Sequence, residues 1–286
     1  MSERVFILGA GLVGRGLFRA FRGAGVEVVG LHSRRPSPAA TSSGSLPAVV
    51  TDANAVIVAV RDHQIDDAIE SLIEIRRGGQ SRVVSPGTVI VHTSGGSEPK
   101  VIPRLASMGL WGGTFHPLIP FANPENAPDL LRHAWIGIDG DESARAMSRR
   151  LAGHIGARTL DIPAGAKSVY HAAAVIGSNF PVVLAAVATR LLSETGVPPA
   201  SAARAVQGLM AGAVSNLLDA DPESVLTGPV MRGDAATVQR HLQSLRPDPE
   251  ARALYRRLSF AALEIASRRG TDPARLAEIQ NVLLLR

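Results

Sequence analysis

The stretch that decides the fold is VFILGAGLVGRGLFRAFRGAGVEVVGLHSRR, residues 5–35. An apolar run is followed by Gly9, Gly11 and Gly14 in the spacing GxGxxG, then by an apolar helical pattern and a second β-branched run. Glycines at this spacing allow a tight turn, close approach of pyrophosphate to the backbone, and helix–strand packing. A glycine-rich turn without a ligand is the alternative. The strand before the motif and the helix after it favour a dinucleotide site.

The end of the second predicted strand indicates which dinucleotide binds. An NAD site usually has an acidic residue there to bond the ribose hydroxyls, but this chain has His32, Ser33, Arg34 and Arg35. A hydroxyl followed by two guanidinium groups suits a 2′-phosphate, whereas a solvated basic loop is the alternative. We therefore predict NADP. The predicted cofactor-binding residues are Gly9, Gly11, Leu12, Val13, Gly14, Ser33, Arg34, Arg35 and Val60.

The two halves of the chain have different patterns. Before residue 163, seven apolar strand patterns (VFIL, VEVVGL, AVIVAV, TVIVHT, GGTF, AWIGI, RTLDI) alternate with helical ones, one of them capped by Asp141. Such alternation predicts an α/β fold with a doubly wound, mostly parallel sheet. A Ser/Pro/Ala-rich stretch at 34–47 interrupts it and predicts a mobile surface loop. From residue 164 only helical patterns remain, so we predict a Rossmann domain over 1–163 and a helical domain over 164–286.

Composition narrows the classes of function. The 286 residues carry a net charge of +5, but the arginines are spread along the chain and aromatic residues make up only 4%. A nucleic-acid surface needs clustered basic residues and stacking platforms, so we predict no nucleic-acid partner. There is no cysteine, and the eight histidines lack metal-ligand spacing, which predicts no metal site. The N-terminus lacks a signal-peptide pattern, which makes the cytoplasm the expected compartment.

One stretch, residues 169–189, has no charged side chain and is about as long as a membrane span. It contains His171, Asn179 and Pro181 and is rich in alanine. We expect a helix buried within a domain and kinked at Pro181, not a membrane span.

Polar residues follow several predicted strands, where ligands bind in doubly wound sheets. Asp62 follows the third strand, HTSGG with Ser94 follows the fourth, and His116 follows the fifth. Each alone is more typical of a structural role. Together they predict the rim of a substrate pocket, with Ser94 and His116 as substrate-binding residues.

Lys167 stands out because 28 of the 30 basic residues are arginine and only Lys100 and Lys167 are lysine. Lys167 and His171 lie four residues apart, on one face of the predicted helix. A lysine can donate a proton to a developing alkoxide, which arginine effectively cannot. The alternative is a lysine placed by chance in the first turn. We predict that Lys167 and His171 are catalytic residues.

The stretches GAGLVG, VHTSGG, FHPL, AKSVYHAAAVIGSN and LTGPVMRGDAATVQRHL together span most of the chain. On these motifs the chain resembles a family of bacterial Rossmann-like proteins with a helical C-terminal domain of unknown function. The wider architecture is similar to 6-phosphogluconate dehydrogenase, the β-hydroxyacid dehydrogenases and ketopantoate reductase. The resemblance to β-hydroxyacid dehydrogenases implies that Lys167 is the general acid. His171 replaces their substrate-binding asparagine, and Ser94, Gly95 and Gly96 resemble their substrate loop.

These observations leave two hypotheses open. The first is an NADPH-dependent reductase of the C=O or C=N bond of a small, anionic substrate, with Arg232 and Asn179 as further substrate-binding residues. For Arg232 a surface position before a helix capped by Asp234 is equally compatible with the sequence. The second hypothesis is a non-catalytic NADP(H) sensor, which would not need a proton donor at Lys167. Relatives of this architecture imply a homodimer.

Overall fold

The computed structural model describes residues 2–77, 84–98 and 101–285. Its strands form one sheet in the order β3-β2-β1-β4-β5-β6-β7-β8, parallel except for the antiparallel pair β6–β7. The strands are β1 (Arg4–Leu8), β2 (Glu27–Ser33), β3 (Ser42–Ser43), β4 (Ala55–Val58), β5 (Val89–His92), β6 (Trp111–Pro117), β7 (Trp135–Gly140) and β8 (Arg158–Asp161). The predicted α/β class and all seven predicted strands are confirmed.

Ten α-helices and four short 3₁₀ turns complete the described structure. The helices are α1 (Leu12–Gly23), α2 (Ile65–Arg77), α3 (Ile102–Leu105), α4 (Ala127–Leu131), α5 (Glu142–His154), α6 (Lys167–Glu194), α7 (Pro199–Leu218), α8 (Ala235–Ser244), α9 (Pro249–Arg268) and α10 (Pro273–Leu284). The side chain of Asp141 accepts a hydrogen bond from the Ala144 N–H and caps α5, as predicted. No described strand follows Asp161, which confirms the helical second half.

Alternate residues of the central strands feed two apolar layers, one on each face of the sheet. On β1, Val5 and Ile7 join the layer that contains Phe21 and Phe115, whereas Phe6 and Leu8 join the other. This alternation follows from the twofold repeat of a strand, and burial on both faces explains the continuous apolar runs in the sequence. Packing on both faces therefore makes the sheet a rigid support for the loops that follow its strands.

The chain divides into two compact units, residues 1–180 and 181–286. The division falls inside α6 and not at residue 164, because the first turns of α6 pack with the sheet unit. In the second unit, α8, α9 and α10 enclose a core that includes Val238, Leu242, Ala266 and Ile279. Aspartates cap all three helices: Asp234, Asp248 and Asp272.

Two expectations need correction. The helix α6 runs through Pro181, but none of its most apolar 18-residue window is buried, so the expected buried helix is wrong. Within the described ranges it is the one helix long and apolar enough to cross a membrane. The stretch 34–47 is not all loop, because Ser42 and Ser43 form β3 at the edge of the sheet. Thr41 binds both backbone groups of Leu31 and anchors this segment.

Candidate active site

A cavity of about 780 Å³ opens at the carboxyl ends of β1, β2 and β4. The predicted residues Gly9, Gly11, Ser33, Arg34, Arg35 and Val60 line it, whereas Leu12, Val13 and Gly14 lie in the turn and first residues of α1 beside it. Sheets of this order bind nucleotides at this edge, next to the crossover between neighbouring strands. The structure thus brings six of the nine predicted cofactor residues to one cavity.

The three glycines of the motif have different tasks. At Gly9, where φ is 119°, an added Cβ would lie 2.2 Å from the Ala59 carbonyl oxygen, and at Gly14 it would lie 1.8 Å from the Gly9 oxygen. These two positions hold turn, helix and strand together. An added Cβ at Gly11 meets no atom within 4 Å, so this glycine leaves open space in the cavity.

Charge in the cavity suits an anionic ligand. Helix α1 begins after Gly11 with no acidic residue in its first turn and no side-chain cap, which leaves its first N–H groups available to a phosphate. Arg34 and Arg35 are exposed at the end of β2. His32 next to them is buried and its Nδ1 lies 2.9 Å from the Ser42 hydroxyl, so it has a structural role.

Part of the cavity wall comes from residues that no sequence motif marked. Gly44, Ser45, Leu46 and Pro47, from the stretch predicted as a mobile loop, line the cavity, as does Asp67 of α2. The helix pattern of α2 gave no sign that Asp67 faces a ligand. For 44–47 the available signal was the spacing, because a segment directly after the second strand of a Rossmann unit borders the nucleotide site.

Lys167 is buried at the end of the sheet where β5 terminates, with 5% of the residue exposed. Its Nζ lies 2.7 Å from Thr114 Oγ1, 2.9 Å from the Ser97 carbonyl oxygen and 3.0 Å from Asp139 Oδ2. An ammonium has three N–H groups, so these acceptors satisfy all of them. His92 Nε2 is also near, at 3.4 Å, and burial together with the Lys167 charge lowers the pKa of His92 to about 3.

Three further polar rings meet at the same end of the sheet. His116 Nδ1 lies 2.7 Å from Tyr170 Oη, and the rings of His116 and His171 meet edge to face with centroids 5.9 Å apart. Burial lowers the pKa of His116 to about 4 and raises that of Tyr170 to about 12. Both are therefore neutral near pH 7. Tyr170 was missed because its position beside His116 depends on the pairing of α6 with the sheet.

The other predicted substrate residues are placed differently. Ser94 is buried, and its Oγ lies 3.0 Å from Ser97 Oγ and accepts from the Ser97 N–H, so it orders the loop after β5. Asn179 is exposed on α6. Arg232 belongs to the second unit, where it is exposed in the turn before α8.

Such a sheet, with a cavity at its carboxyl edge and a helical second half, defines a Rossmann-type fold followed by a helical C-terminal part. The comparisons agree with this class. Residues 134–262 match the model of a domain of unknown function, DUF2520. No curated protein matches the chain in sequence.

Solved structures are similar over almost the whole chain. A candidate NADP oxidoreductase from Bacteroides fragilis is 20% identical with a TM-score of 0.70, over 91% of this chain and 98% of that one. A Thermotoga maritima protein is 24% identical with a TM-score of 0.69, over 94% and 100%. The pyrroline carboxylate reductase of Plasmodium falciparum, solved with NADP bound, is 13% identical with a TM-score of 0.60, over 97% and 98%. These likenesses confirm the fold that the sequence motifs implied.

Proposed function

We propose that the protein is an NADPH-dependent oxidoreductase that reduces the C=O or C=N bond of a small, anionic substrate. The observation that carries the proposal is the cavity at the carboxyl edge of the sheet, which brings Gly9 and Gly11 together with Ser33, Arg34 and Arg35. The similar structures include a pyrroline carboxylate reductase and an imine reductase, which supports the same class of reaction.

The residues present fit NADP. The open space at Gly11 and the uncapped start of α1 suit the pyrophosphate, and Arg34 with Arg35 suits a 2′-phosphate. The chemistry that NADP supplies in such sites is transfer of a hydride. Among the similar structures one holds NADP and another holds NAD⁺. The fold alone therefore does not decide between the two cofactors, and the proposal of NADP rests on this chain's own residues.

For the general acid we propose Lys167, as the sequence analysis predicted. Its amine can release a proton to the oxygen or nitrogen that becomes negative during reduction. All three N–H groups have acceptors within the protein, so donation requires Lys167 to exchange one of them for the substrate. The contact with Asp139 is an ion pair, whereas the Thr114 hydroxyl and the Ser97 carbonyl are neutral acceptors. The hydrogen bonds to the neutral acceptors are therefore the easier ones to exchange.

His171, His116, Ser94, Asn179 and Arg232 remain the proposed contacts of the substrate. His171 has a buried Nδ1 without a hydrogen-bond partner among the described residues, and a hydrogen bond from a substrate group would satisfy it. Arg232 supports an anionic substrate, because a guanidinium can bind a carboxylate with two parallel hydrogen bonds. The non-catalytic sensor is the competing function.

A reductase and a sensor differ in turnover. The experiment is to follow NADPH absorbance with purified protein and a panel of 2-oxo acids, pyrroline carboxylate and cyclic imines. The proposal expects substrate-dependent consumption of NADPH for at least one class. Tight binding of NADPH with no consumption for any class would favour the sensor.

We also propose that the protein is a cytoplasmic homodimer. Within the second unit, α6 and α7 expose Val182, Val183, Leu209, Val214 and Leu218. Contiguous apolar surface is uncommon on monomers, and a second copy of the chain would cover these side chains. Sedimentation should give the mass of a dimer, and Leu209→Glu should lower it to that of a monomer. Pelleting with lipid vesicles would instead indicate that the patch binds a membrane.

A further inference from the structure

Three glycines make room for three polar rings at the substrate end. A Cβ added at Gly95 would lie 2.6 Å from His116 Cε1, and one at Gly137 would lie 2.1 Å from Tyr170 Oη. At Gly96 it would lie 3.2 Å from His171 Cδ2. Cβ atoms do not approach neighbours closer than about 3 Å without displacement, so the backbone of β7 and of the loop after β5 is shaped around this cluster.

The contact between Tyr170 and His116 fixes a proton. Both groups are neutral near pH 7, so a single proton lies between Tyr170 Oη and His116 Nδ1. Within the described ranges Tyr170 has no other hydrogen-bond acceptor, and Gly137 closes one side of its hydroxyl. A phenol O–H is a stronger donor than an imidazole N–H, and an imidazole nitrogen is a stronger acceptor than a phenol oxygen, so Tyr170 donates to Nδ1. The proton of the neutral His116 ring is therefore on Nε2, away from Tyr170.

Charged and titratable groups around His116 keep this arrangement. Lys167 and His171 of α6 lower the pKa of the ring, and Asp62, at the start of the turn after β4, raises it, while burial has the largest effect. Asp62 directly follows Arg61, which lines the cofactor cavity. His116 itself lies near the carboxyl end of β6, against Gly95 of the loop after β5.

We propose that Tyr170 positions His116 so that a neutral Nε2–H donates a hydrogen bond to the carbonyl oxygen or imine nitrogen that is reduced. This inference rests on the proposed function. His171 Nδ1, enclosed beside it and without a described partner, is the second group available to the same substrate. A neutral donor holds the atom on which charge develops without requiring that a cation be buried first. Tyr170 is thus a positioning residue and His116 contacts the substrate.

The first test does not depend on turnover. Long-range ¹H–¹⁵N spectra of the histidine rings at pH 7 should show His116 protonated on Nε2 in the wild-type protein. In Tyr170→Phe the same ring should shift toward a mixture of tautomers, because the donor to Nδ1 is gone. A wild-type His116 protonated on Nδ1 would overturn the inference.

The chain offers a matched control in its only other tyrosine. Tyr255 Oη lies 2.8 Å from His241 Nδ1, with ring centroids 5.6 Å apart, so it repeats the contact of Tyr170 outside the proposed site. With the substrate class that the panel identifies, Tyr170→Phe should lower kcat/KM about tenfold, the effect of one ordinary hydrogen bond. Tyr255→Phe should leave it unchanged.

The two failures are distinguishable. If the wild-type protein consumes no NADPH with any class, the proposed function is wrong and the substrate contact of His116 fails with it. If the wild type turns over and Tyr170→Phe equals Tyr255→Phe in kcat/KM, the reductase remains and the positioning role of Tyr170 is wrong.

Discussion

Lys167 Nζ lies 3.0 Å from Asp139 Oδ2, and only 6% of the lysine side chain is exposed. The pair joins the first residue of α6 to β7. A buried charge that loses its partner is costly, by about 3–5 kcal/mol. Lys167 therefore has a structural contribution to make besides any catalytic one, and a test of its chemistry has to separate the two.

Replacing Lys167 by arginine makes that separation. The guanidinium keeps the charge opposite Asp139 but does not release a proton near neutral pH. We expect Lys167→Arg to keep the fold and NADPH affinity and to lose on the order of 10²-fold or more in kcat. His171→Asn should cost less. Steady-state kinetics with thermal unfolding as the control measures both, and a Lys167→Arg variant as fast as wild type would remove the amine from the mechanism.

Cofactor preference should follow Arg34 and Arg35. We expect NADPH to bind at least about tenfold more tightly than NADH, a difference of roughly 1.4 kcal/mol. Arg34→Ala should weaken NADPH binding and leave NADH nearly unchanged, because only the former carries the 2′-phosphate. Calorimetric titration of both cofactors measures this. Equal affinities in the wild type would contradict the assignment of Ser33, Arg34 and Arg35.

The open space at Gly11 gives a prediction with a matched control. Gly11 and Gly23 both leave more than 4 Å around an added Cβ, and neither has a positive φ. Gly11→Ala should therefore fold normally but weaken NADPH binding by about tenfold or more, because the methyl group enters the space that the pyrophosphate needs. Gly23→Ala should bind as the wild type does. Fluorescence titration with NADPH compares them, and equal affinity in Gly11→Ala would place the pyrophosphate elsewhere.

Arg232 tests whether the substrate is anionic. If its guanidinium binds a carboxylate or phosphate, Arg232→Lys should raise KM by about tenfold, since a point charge replaces a two-pronged donor. NADPH affinity should not change. An unaltered KM for the substrate identified by the panel would return Arg232 to an ordinary surface position.

Acid should destabilise the protein through His92. Its folded-state pKa of about 3 lies below the ordinary value of 6.5, so below pH 6.5 the unfolded chain binds a proton that the folded one does not. The contribution is complete above pH 6.5 and is lost as the pH falls toward 3, at about 1.4 kcal/mol per pH unit. Urea unfolding at pH 6.5 and 5.0 should therefore differ by about 2 kcal/mol from this group alone.

A pair of variants isolates that contribution. His92→Asn should remove about 2 kcal/mol of the difference between these two pH values, whereas His133→Asn, at an exposed position, should leave the dependence as in the wild type. His116 acts in the same direction, because burial lowers its pKa to about 4. A pH dependence that His92→Asn does not alter would contradict the role given to His92.

The sequence predicted most of the sheet and the nucleotide loop because both depend on local patterns. Continuous apolar runs such as residues 55–58 are buried on both faces, and the GxGxxG glycines work within one turn. The network around Lys167 could not be predicted, since it joins residues 97, 114 and 139 from three separate segments. The exposure of α6 was missed for a related reason: an apolar helix has the same composition whether its own chain or something else covers it.

The predictions made for single residues after the strands were harder to place than the strands themselves. Ser94 follows β5 as predicted and bonds its own loop, whereas His116, predicted to follow its strand, lies within β6 and bonds Tyr170. Which side chain turns toward a neighbour depends on helix packing and on glycines such as Gly137, and neither is visible in a strand pattern.

The two-residue strand β3 places a segment of the cavity wall at the edge of the sheet. It pairs with β2 alone, at the margin of the sheet, and the segment around it supplies Gly44, Ser45 and Leu46 to the cavity wall. No other strand pairs with β3, so the central strands do not depend on it. The segment around β3 can therefore change in length and sequence while the central strands stay as they are. If the proposed cofactor site is correct, the choice between the two dinucleotides can change through residues 34–47 while those strands stay as they are.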